Sequence, residues 1–497
     1  MKPSLSHILG AIALCIISST SCAEFEHTQT NADKSSRQHF PSPSSSCDVY
    51  IRLGTEALQA GDVSSAVAIF QRGTRHHPHE ASLWNNCAVA LATQWQLQTN
   101  DERNDDTYCE ARASASLALR LGNADSGELL AALDQLVSVN ESPPSCPHAD
   151  LISSLEPVME LRREASAARK PGSIDGEKYM TAVRDACSAD NISISLTDDE
   201  IQYDQLRAST LHAIVSVFEA CGLVALTNVY PTSQIEEAAR AQANHFYERT
   251  SAQKPTSHIH LSTVEVKRRG DALRQEIVCP LQKPLTDLTS SSMILQTARQ
   301  ILQTMDVELD TFSYIQSEPG SSVQKWHTDM GPLIDDDLAE GSYILPSYGL
   351  VMIVPFIDLD SSNGPTEFMP GSHLPPTAID GGDGSFWHDA ETGEANIKAP
   401  KVALDLPAGS ALLFDIRTTH RGGANTSPTA RPILYASYFR EWFTDRVNFD
   451  ARQSRWWNRL EENGEQIKKL YSRIDSRQYT KLLEDMLKER GVDLKEL

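Results

Sequence analysis

His327 and Asp329 stand two positions apart in the segment Gln324-Lys325-Trp326-His327-Thr328-Asp329. On an extended strand that spacing turns both side chains to one face, where an imidazole and a carboxylate can share one ion. A second histidine, His420, follows the turn Pro407-Ala408-Gly409-Ser410 and a short apolar run. Two histidines and one carboxylate form the facial set that holds a non-haem iron(II) and leaves positions open for further ligands. An oxo acid and dioxygen need those openings. Arg431 comes next, followed by Pro432 and the β-prone run Ile433-Leu434-Tyr435-Ala436-Ser437-Tyr438-Phe439. A guanidinium there can clamp the far carboxylate of 2-oxoglutarate bidentately, which gives a charge in an apolar strand a purpose. The expected cofactor set is iron(II), 2-oxoglutarate and O2, with ascorbate supportive. Tyr314, Gln324 and Trp326 flank the motif as candidates for the substrate or cosubstrate pocket, and packing is the alternative role for each.

The elements that must position these residues are β-rich. From Thr311 onward, short apolar or alternating runs are separated by Gly and Pro: 311–316, 323–328, 348–357, 366–369, 402–406, 411–414 and 433–439. That pattern predicts a β-sandwich or jelly roll. Upstream, a helix is expected around 203–221, then a strand from Gly222, then a helix over 235–247 capped by Ser233. His373, in the turn Pro370-Gly371-Ser372-His373, is read as architecture and not as a ligand. Asp335, Asp336 and Asp337 lack the spaced oxygen ligands of a calcium loop and are read as a solvated loop. A zinc hydrolase using the same three ligands would lack an HExxH-type base and leave Arg431 unexplained.

The segments Phe218-Glu219-Ala220-Cys221-Gly222-Leu223-Val224, Glu318-Pro319-Gly320, Trp326-His327-Thr328-Asp329, and Asn363-Gly364-Pro365-Thr366 through Pro370-Gly371-Ser372-His373, with the His420 to Arg431 spacing, carry a resemblance. Over roughly 200–445 the sequence resembles the phytanoyl-CoA dioxygenase-like oxygenases. The resemblance implies a double-stranded β-helix, iron ligation by His327, Asp329 and His420, and 2-oxoglutarate binding by Arg431. Because Asp329 is retained, no ligand position is vacated for halide, and hydroxylation is expected over halogenation. The fold class expected for the whole chain is α+β, a jelly-roll oxygenase domain preceded by a small α-helical repeat-like domain.

That preceding domain is expected over 47–170. Leu53, Gly54, Ala57, Gly61, Asp62, Ala66, Phe70, Gly73 and Pro78 fall at the offsets of a helix-turn-helix unit and resemble a tetratricopeptide repeat. A second unit aligns through Trp84, Cys87, Ala88 and Leu91 with Ala111, Ala115 and Ala118, and an ordinary helical bundle is the alternative. The remaining expected boundaries are a signal peptide at 1–23, a flexible linker at 24–46, a linker at 171–197 in which Tyr179 to Cys187 can carry a short helix, the oxygenase domain at 198–445 and a helical extension at 446–497.

Lys2, the apolar run Ile8–Ile17 and Ser21-Cys22-Ala23 have the order of a secretory signal. The apolar run is too short to span a bilayer, so an uncleaved anchor is the less favoured alternative, and no stable membrane span is expected after cleavage. The expected location is the secretory pathway, in the endoplasmic reticulum lumen or outside the cell. Cys47, Cys87, Cys109, Cys146, Cys187, Cys221 and Cys279 follow, odd in number and without a CxxC pair, so one to three disulfides and at least one free thiol are expected. Asn140, Asn191 and Asn425 begin glycosylation sequons. A net charge of -23 excludes a general affinity for nucleic acid or anionic membranes. The substrate is expected to be a small metabolite or a lipid. The alternatives are a peptidyl side chain, with the repeats holding the protein, or a silent jelly-roll and repeat protein that only binds a partner.

Overall fold

The computed structural model describes residues 45–98, 104–138, 144–251, 266–268, 273–279, 282–330, 333, 344–379, 386–389, 392 and 394–443. The expected signal peptide, almost all of the 24–46 linker, the Asp335–Asp337 loop and the 446–497 extension lie outside the described residues. No described helix is long and apolar enough to cross a membrane. Two compact units divide the chain: one takes residues up to 153 with 202–216 and 299–305, and the other takes 154–201, 217–298 and everything from 306 onward. This division falls elsewhere than the turn-based boundaries at 170 and 198.

Five helices make up most of the first unit: α1 (Cys47–Gln59), α2 (Val63–His76), α3 (Ala81–Leu97), α4 (Asp105–Arg120) and α5 (Asp125–Ser138). Small residues let them approach closely. A Cβ on Gly54 would stand 2.5 Å from the Phe70 ring, and one on Gly73 would stand 2.9 Å from Leu83. Asp62 caps α2 by accepting from Ser65 N–H at 3.1 Å. The core gathers Tyr50, Phe70, Leu83, Cys87 and Ala88 with Ala111 and Ala115, while Gly61 and Asp62, which also carried the repeat reading, are exposed. Cys109 and Cys146 form a disulfide.

The second unit is built on two sheets. The larger has the strand order β1 (Ser193–Ser195), β2 (Leu223–Thr227), β9 (Ala411–Asp415), β6 (Gly349–Pro355), β11 (Arg431–Arg440), β5 (Val307–Ser317), β4 (Arg274–Val278) and β3 (Val266–Arg268). The smaller has the order β10 (His420–Gly422), β7 (Thr366–Phe368), β8 (Val402–Ala403). All pairings are antiparallel except that of β1 with β2. Every residue of β6 is buried, as expected of a central strand covered on both faces. The α+β class and the sandwich of two sheets agree with the expectation from sequence.

Several local expectations require correction. The 323–328 run is not a ladder strand: it meets β10 through an isolated bridge between His327 and His420 and through the Gln324 N–H, which donates to the Gly422 carbonyl at 2.9 Å. The expected linker at 171–197 carries the short helix allowed for it, over Gly176–Ala186, and beyond that expectation a second helix, Ala189–Ile192, and then β1. Its anchors are long-range: the buried Tyr179 donates from its hydroxyl to the Gly371 carbonyl at 3.0 Å, and Cys187 forms a disulfide with Cys221. Neither partner is visible in a local window. The helix expected to be capped by Ser233 begins at Thr232, so Ser233 lies inside it. Asn425, at the head of a sequon, is fully buried and donates to the Ser317 and Thr429 carbonyls, which excludes glycosylation of the folded chain. Cys87 and Cys279 are buried free thiols.

Gly222 joins the 208–221 helix to β2 at φ +78°, a left-handed value that a side chain resists. A Cβ there would lie 2.5 Å from His373 Nδ1 and 2.7 Å from Thr418 Oγ1. Gly222→Ala is therefore expected to lower folding stability by about 1–3 kcal/mol, measured as a shift in the urea midpoint at constant slope.

Candidate active site

His327 and His420 are joined through their backbones. The His327 N–H donates to the His420 carbonyl at 3.0 Å, and the His420 N–H donates back at 2.8 Å. Their rings consequently stand 4.5 Å apart between centroids. In each ring Nδ1 lies 2.9 Å from the carbonyl two residues upstream, that of Lys325 or Thr418. A donor Nδ1–H in that geometry leaves Nε2 as the free lone pair, which is the tautomer a metal requires. Burial pushes His420 down to about 4, so it is neutral at physiological pH.

Asp329 completes the set. Its Oδ1 is 3.7 Å from His420 Nε2, and one ligand atom from each of the three residues lies within 4.8 Å of the others. The three are thus brought together as expected, although by a bridge and a bend in place of the expected strand. Two nitrogens and one carboxylate oxygen converging on a point fit a divalent first-row metal with open positions.

The three residues face a cavity of about 520 Å³ whose other walls include Ile315, Ile353, Phe414 and Ile433. Arg431 opens into the same cavity from β11. It is 1% exposed and gives Nη2–H to Ser317 Oγ at 2.7 Å, while its Nε and Nη1 are buried without a hydrogen-bond partner. Burial and the neighbouring Arg274 hold this guanidinium well below the usual arginine range. A buried cation with two unanswered donors is a receptor for a carboxylate.

The family model for phytanoyl-CoA dioxygenase (PhyH) matches residues 205–433. The matched segment, somewhat under half of the chain, is thus a phytanoyl-CoA dioxygenase family-model domain. The coarse activity that goes with the family is an iron- and 2-oxoglutarate-dependent oxygenase, and the His-Asp-His cluster lies inside the matched region. Similar solved structures include the non-heme alpha ketoglutarate dependent epimerase SnoN from nogalamycin biosynthesis, at 20% identity over 47% of this chain and 81% of that one with a TM-score of 0.33. They also include the carbocyclase SnoK from the same biosynthesis, at 17% identity over 51% of this chain and 86% of that one with a TM-score of 0.34. AviO1 from Streptomyces viridochromogenes Tue57 is similar at 17% identity over 46% of this chain and 93% of that one, with a TM-score of 0.35.

Of the three flanking candidates, only Gln324 lines the cavity, its Oε1 accepting from Gly422 N–H at 2.8 Å. Trp326 is buried under the Arg421 guanidinium, 4.4 Å from its ring centroid, and Tyr314 is buried with its hydroxyl 3.0 Å from His245 Nδ1. Both pack and do not line the cavity. His373 stands apart from the cluster, with Nε2 at 2.9 Å from Arg162 Nη1 and 3.0 Å from the Glu219 carbonyl oxygen, which accords with the architectural reading. Sequence reasoning missed Arg274 and Tyr435. Arg274, 1% exposed on β4, donates from Nε to Ser317 Oγ at 3.0 Å and from Nη2 to the Gly423 carbonyl at 2.6 Å. Tyr435, on β11, donates from its hydroxyl to Asp329 Oδ2 at 2.7 Å.

The cluster makes a direct prediction. Anaerobic iron(II) or cobalt(II) should bind at one site per chain and raise the melting temperature, since a ligand of the native state stabilises it. Asp329→Ala should abolish both effects in a thermal-shift titration.

Proposed function

We propose that the phytanoyl-CoA dioxygenase family domain hydroxylates a C–H bond of a small metabolite or lipid, consuming 2-oxoglutarate and O2 and releasing succinate and CO2. The observation that carries this reading is Arg431: a buried guanidinium with two free donors, opening into the same cavity as two Nε2 lone pairs and a carboxylate. A dicarboxylic oxo acid satisfies both ends at once. The cavity volume of about 520 Å³ lies in the range of small-molecule sites and supports a compact prime substrate beside the cosubstrate.

His327, Asp329 and His420 would hold the metal on one side, each imidazole fixed in its tautomer by the carbonyl behind Nδ1. When bound, iron(II) supplies the open positions at which oxo-acid decarboxylation is coupled to oxidation of a substrate C–H bond. Arg431 binds and orients the far carboxylate, and the bond it gives to Ser317 Oγ keeps its planar fork from rotating. Gln324, held by the Gly422 N–H, fixes a polar edge of the wall. Ile315, Ile353, Ile433 and Phe414 form an apolar part of the wall, beside which each charge interaction is stronger than in water. Retention of Asp329 supports hydroxylation over halogenation. The two disulfides support residence in an oxidising compartment, the secretory pathway or outside the cell.

Succinate release with iron(II), ascorbate and 2-oxoglutarate, with and without a candidate-substrate extract, tests the proposal. Wild type should turn over 2-oxoglutarate, and one fraction should raise the rate. His327→Ala should abolish turnover. Arg431→Ala should cost roughly 2–5 kcal/mol in kcat/KM for 2-oxoglutarate, the range for truncating one member of a buried charge pair. Wild-type protein that binds metal but never consumes 2-oxoglutarate would sink the oxygenase reading.

A further inference from the structure

On β11, Arg431, Ile433 and Tyr435 alternate onto one face and all three line the cavity. The first meets the place assigned to the cosubstrate carboxylate. The last meets Asp329, its phenol donating to Oδ2 at 2.7 Å. An ionised carboxylate only accepts, and a phenol in this position is its donor. With Oδ2 engaged, Oδ1 is the oxygen turned toward the histidines, 3.7 Å from His420 Nε2.

Resting on the oxygenase reading, we infer that Tyr435 is a positioning residue that locks Asp329 as a one-oxygen ligand and so sets the number of metal positions left for cosubstrate and dioxygen. A carboxylate free to swing can chelate through both oxygens and occupy a position that the reaction needs. The hydrogen bond opposes that option: for Oδ2 to reach the metal, the phenol must give up its bond to that oxygen. Asp329 itself sits in a bend with no ladder on either side, so its backbone does not impose the rotamer. Tyr435, by contrast, lies in the middle of a strand paired on both edges, opposite Ser313 of β5 and Ile353 of β6. The rigid element thereby orients the ligand carried by the irregular one.

Tyr435→Phe removes the hydroxyl and keeps the ring. The experiment compares wild type, Tyr435→Phe and His327→Ala by anaerobic cobalt(II) titration, the ligand-field absorption of the cobalt(II) protein, steady-state kinetics in 2-oxoglutarate, and melting of the metal-free protein. Tyr435→Phe is expected to weaken cobalt(II) binding about 10–100-fold and to alter the intensity of the ligand-field bands as the carboxylate becomes bidentate. It should lower kcat while leaving KM for 2-oxoglutarate unchanged, and leave the metal-free melting temperature intact. Unchanged cobalt(II) affinity and spectrum would overturn the role of Tyr435 and leave the oxygenase reading standing. A parallel fall in metal-free stability and 2-oxoglutarate affinity would overturn it as well, by showing general disruption. If wild type binds no cobalt(II) that His327→Ala loses, the metal-site reading fails and the inference falls with it.

Discussion

Two reciprocal backbone hydrogen bonds between His327 and His420 hold together chain segments that are remote in sequence, and the site depends on them. Neither histidine lies in a long ladder. His420 begins the three-residue β10, which leans on β7, and His327 has no ladder of its own. The turn before His420 therefore has to be rigid, and it is. Asp415, fully buried, holds Arg417 by a bidentate pair with distances of 2.8 and 2.7 Å, and Thr418 Oγ1–H donates to the Gly222 carbonyl at 2.9 Å. The Arg417 guanidinium keeps Asp415 below the usual carboxylate range against the opposing effect of burial, so the pair stays charged and locked. Gly222 is required at this point because no side chain fits between His373 and Thr418.

The larger sheet provides the opposite wall, and its register explains how charge is tolerated there. Arg274, Ser317 and Arg431 are aligned across β4, β5 and β11, so both guanidiniums meet one serine hydroxyl. Burial, and after it the like charge of Arg274 on the same rung, holds Arg431 below the usual arginine range. Unsatisfied buried donors cost on the order of 1–3 kcal/mol each, and an anion repays that cost only when it binds. The apo domain is thus less stable than its apolar packing alone would allow, a frequent property of preorganised sites.

What could be read from the chain follows the range of the interaction involved. His327, Asp329, His420 and Arg431 declare themselves because residue type and order suffice to suggest a facial metal set and a carboxylate clamp. The strands 349–355, 411–415 and 431–440 are similarly plain, being apolar and bounded by turns. Where a residue's role depends on a distant partner, the sequence is silent. Arg274 sits in a mixed stretch, Arg-Gln-Glu-Ile-Val, and becomes part of the cavity only through pairing with β5. The 171–197 segment looks like a connection because it is polar, yet Tyr179 and Cys187 tie it to residues far along the chain. The 323–328 run has strand composition without a continuous ladder, since its backbone meets β10 at Gln324 and His327 and not along a paired strand. Trp326 and Tyr314 were close to the motif in sequence but bury their rings away from the cavity, which proximity cannot distinguish from lining it.

The regularity of β11 ties these observations together. From Arg431 to Tyr435 its pairing with β5 runs without a break, and the register shift falls later, between Ala436 and Tyr438. Four residues of strand span roughly 13 Å, so the distance between the carboxylate receptor and the residue that holds Asp329 is set by backbone geometry and not by side-chain adjustment. A slip of one residue would turn Arg431, Ile433 and Tyr435 out of the cavity together. The bulge lies beyond the functional face, where it can bend the strand without altering that spacing. Pairing on both edges makes such a slip costly, because β5 and β6 would each have to move with it. The central position of β11 in the sheet is thus a requirement of the site as much as of the fold.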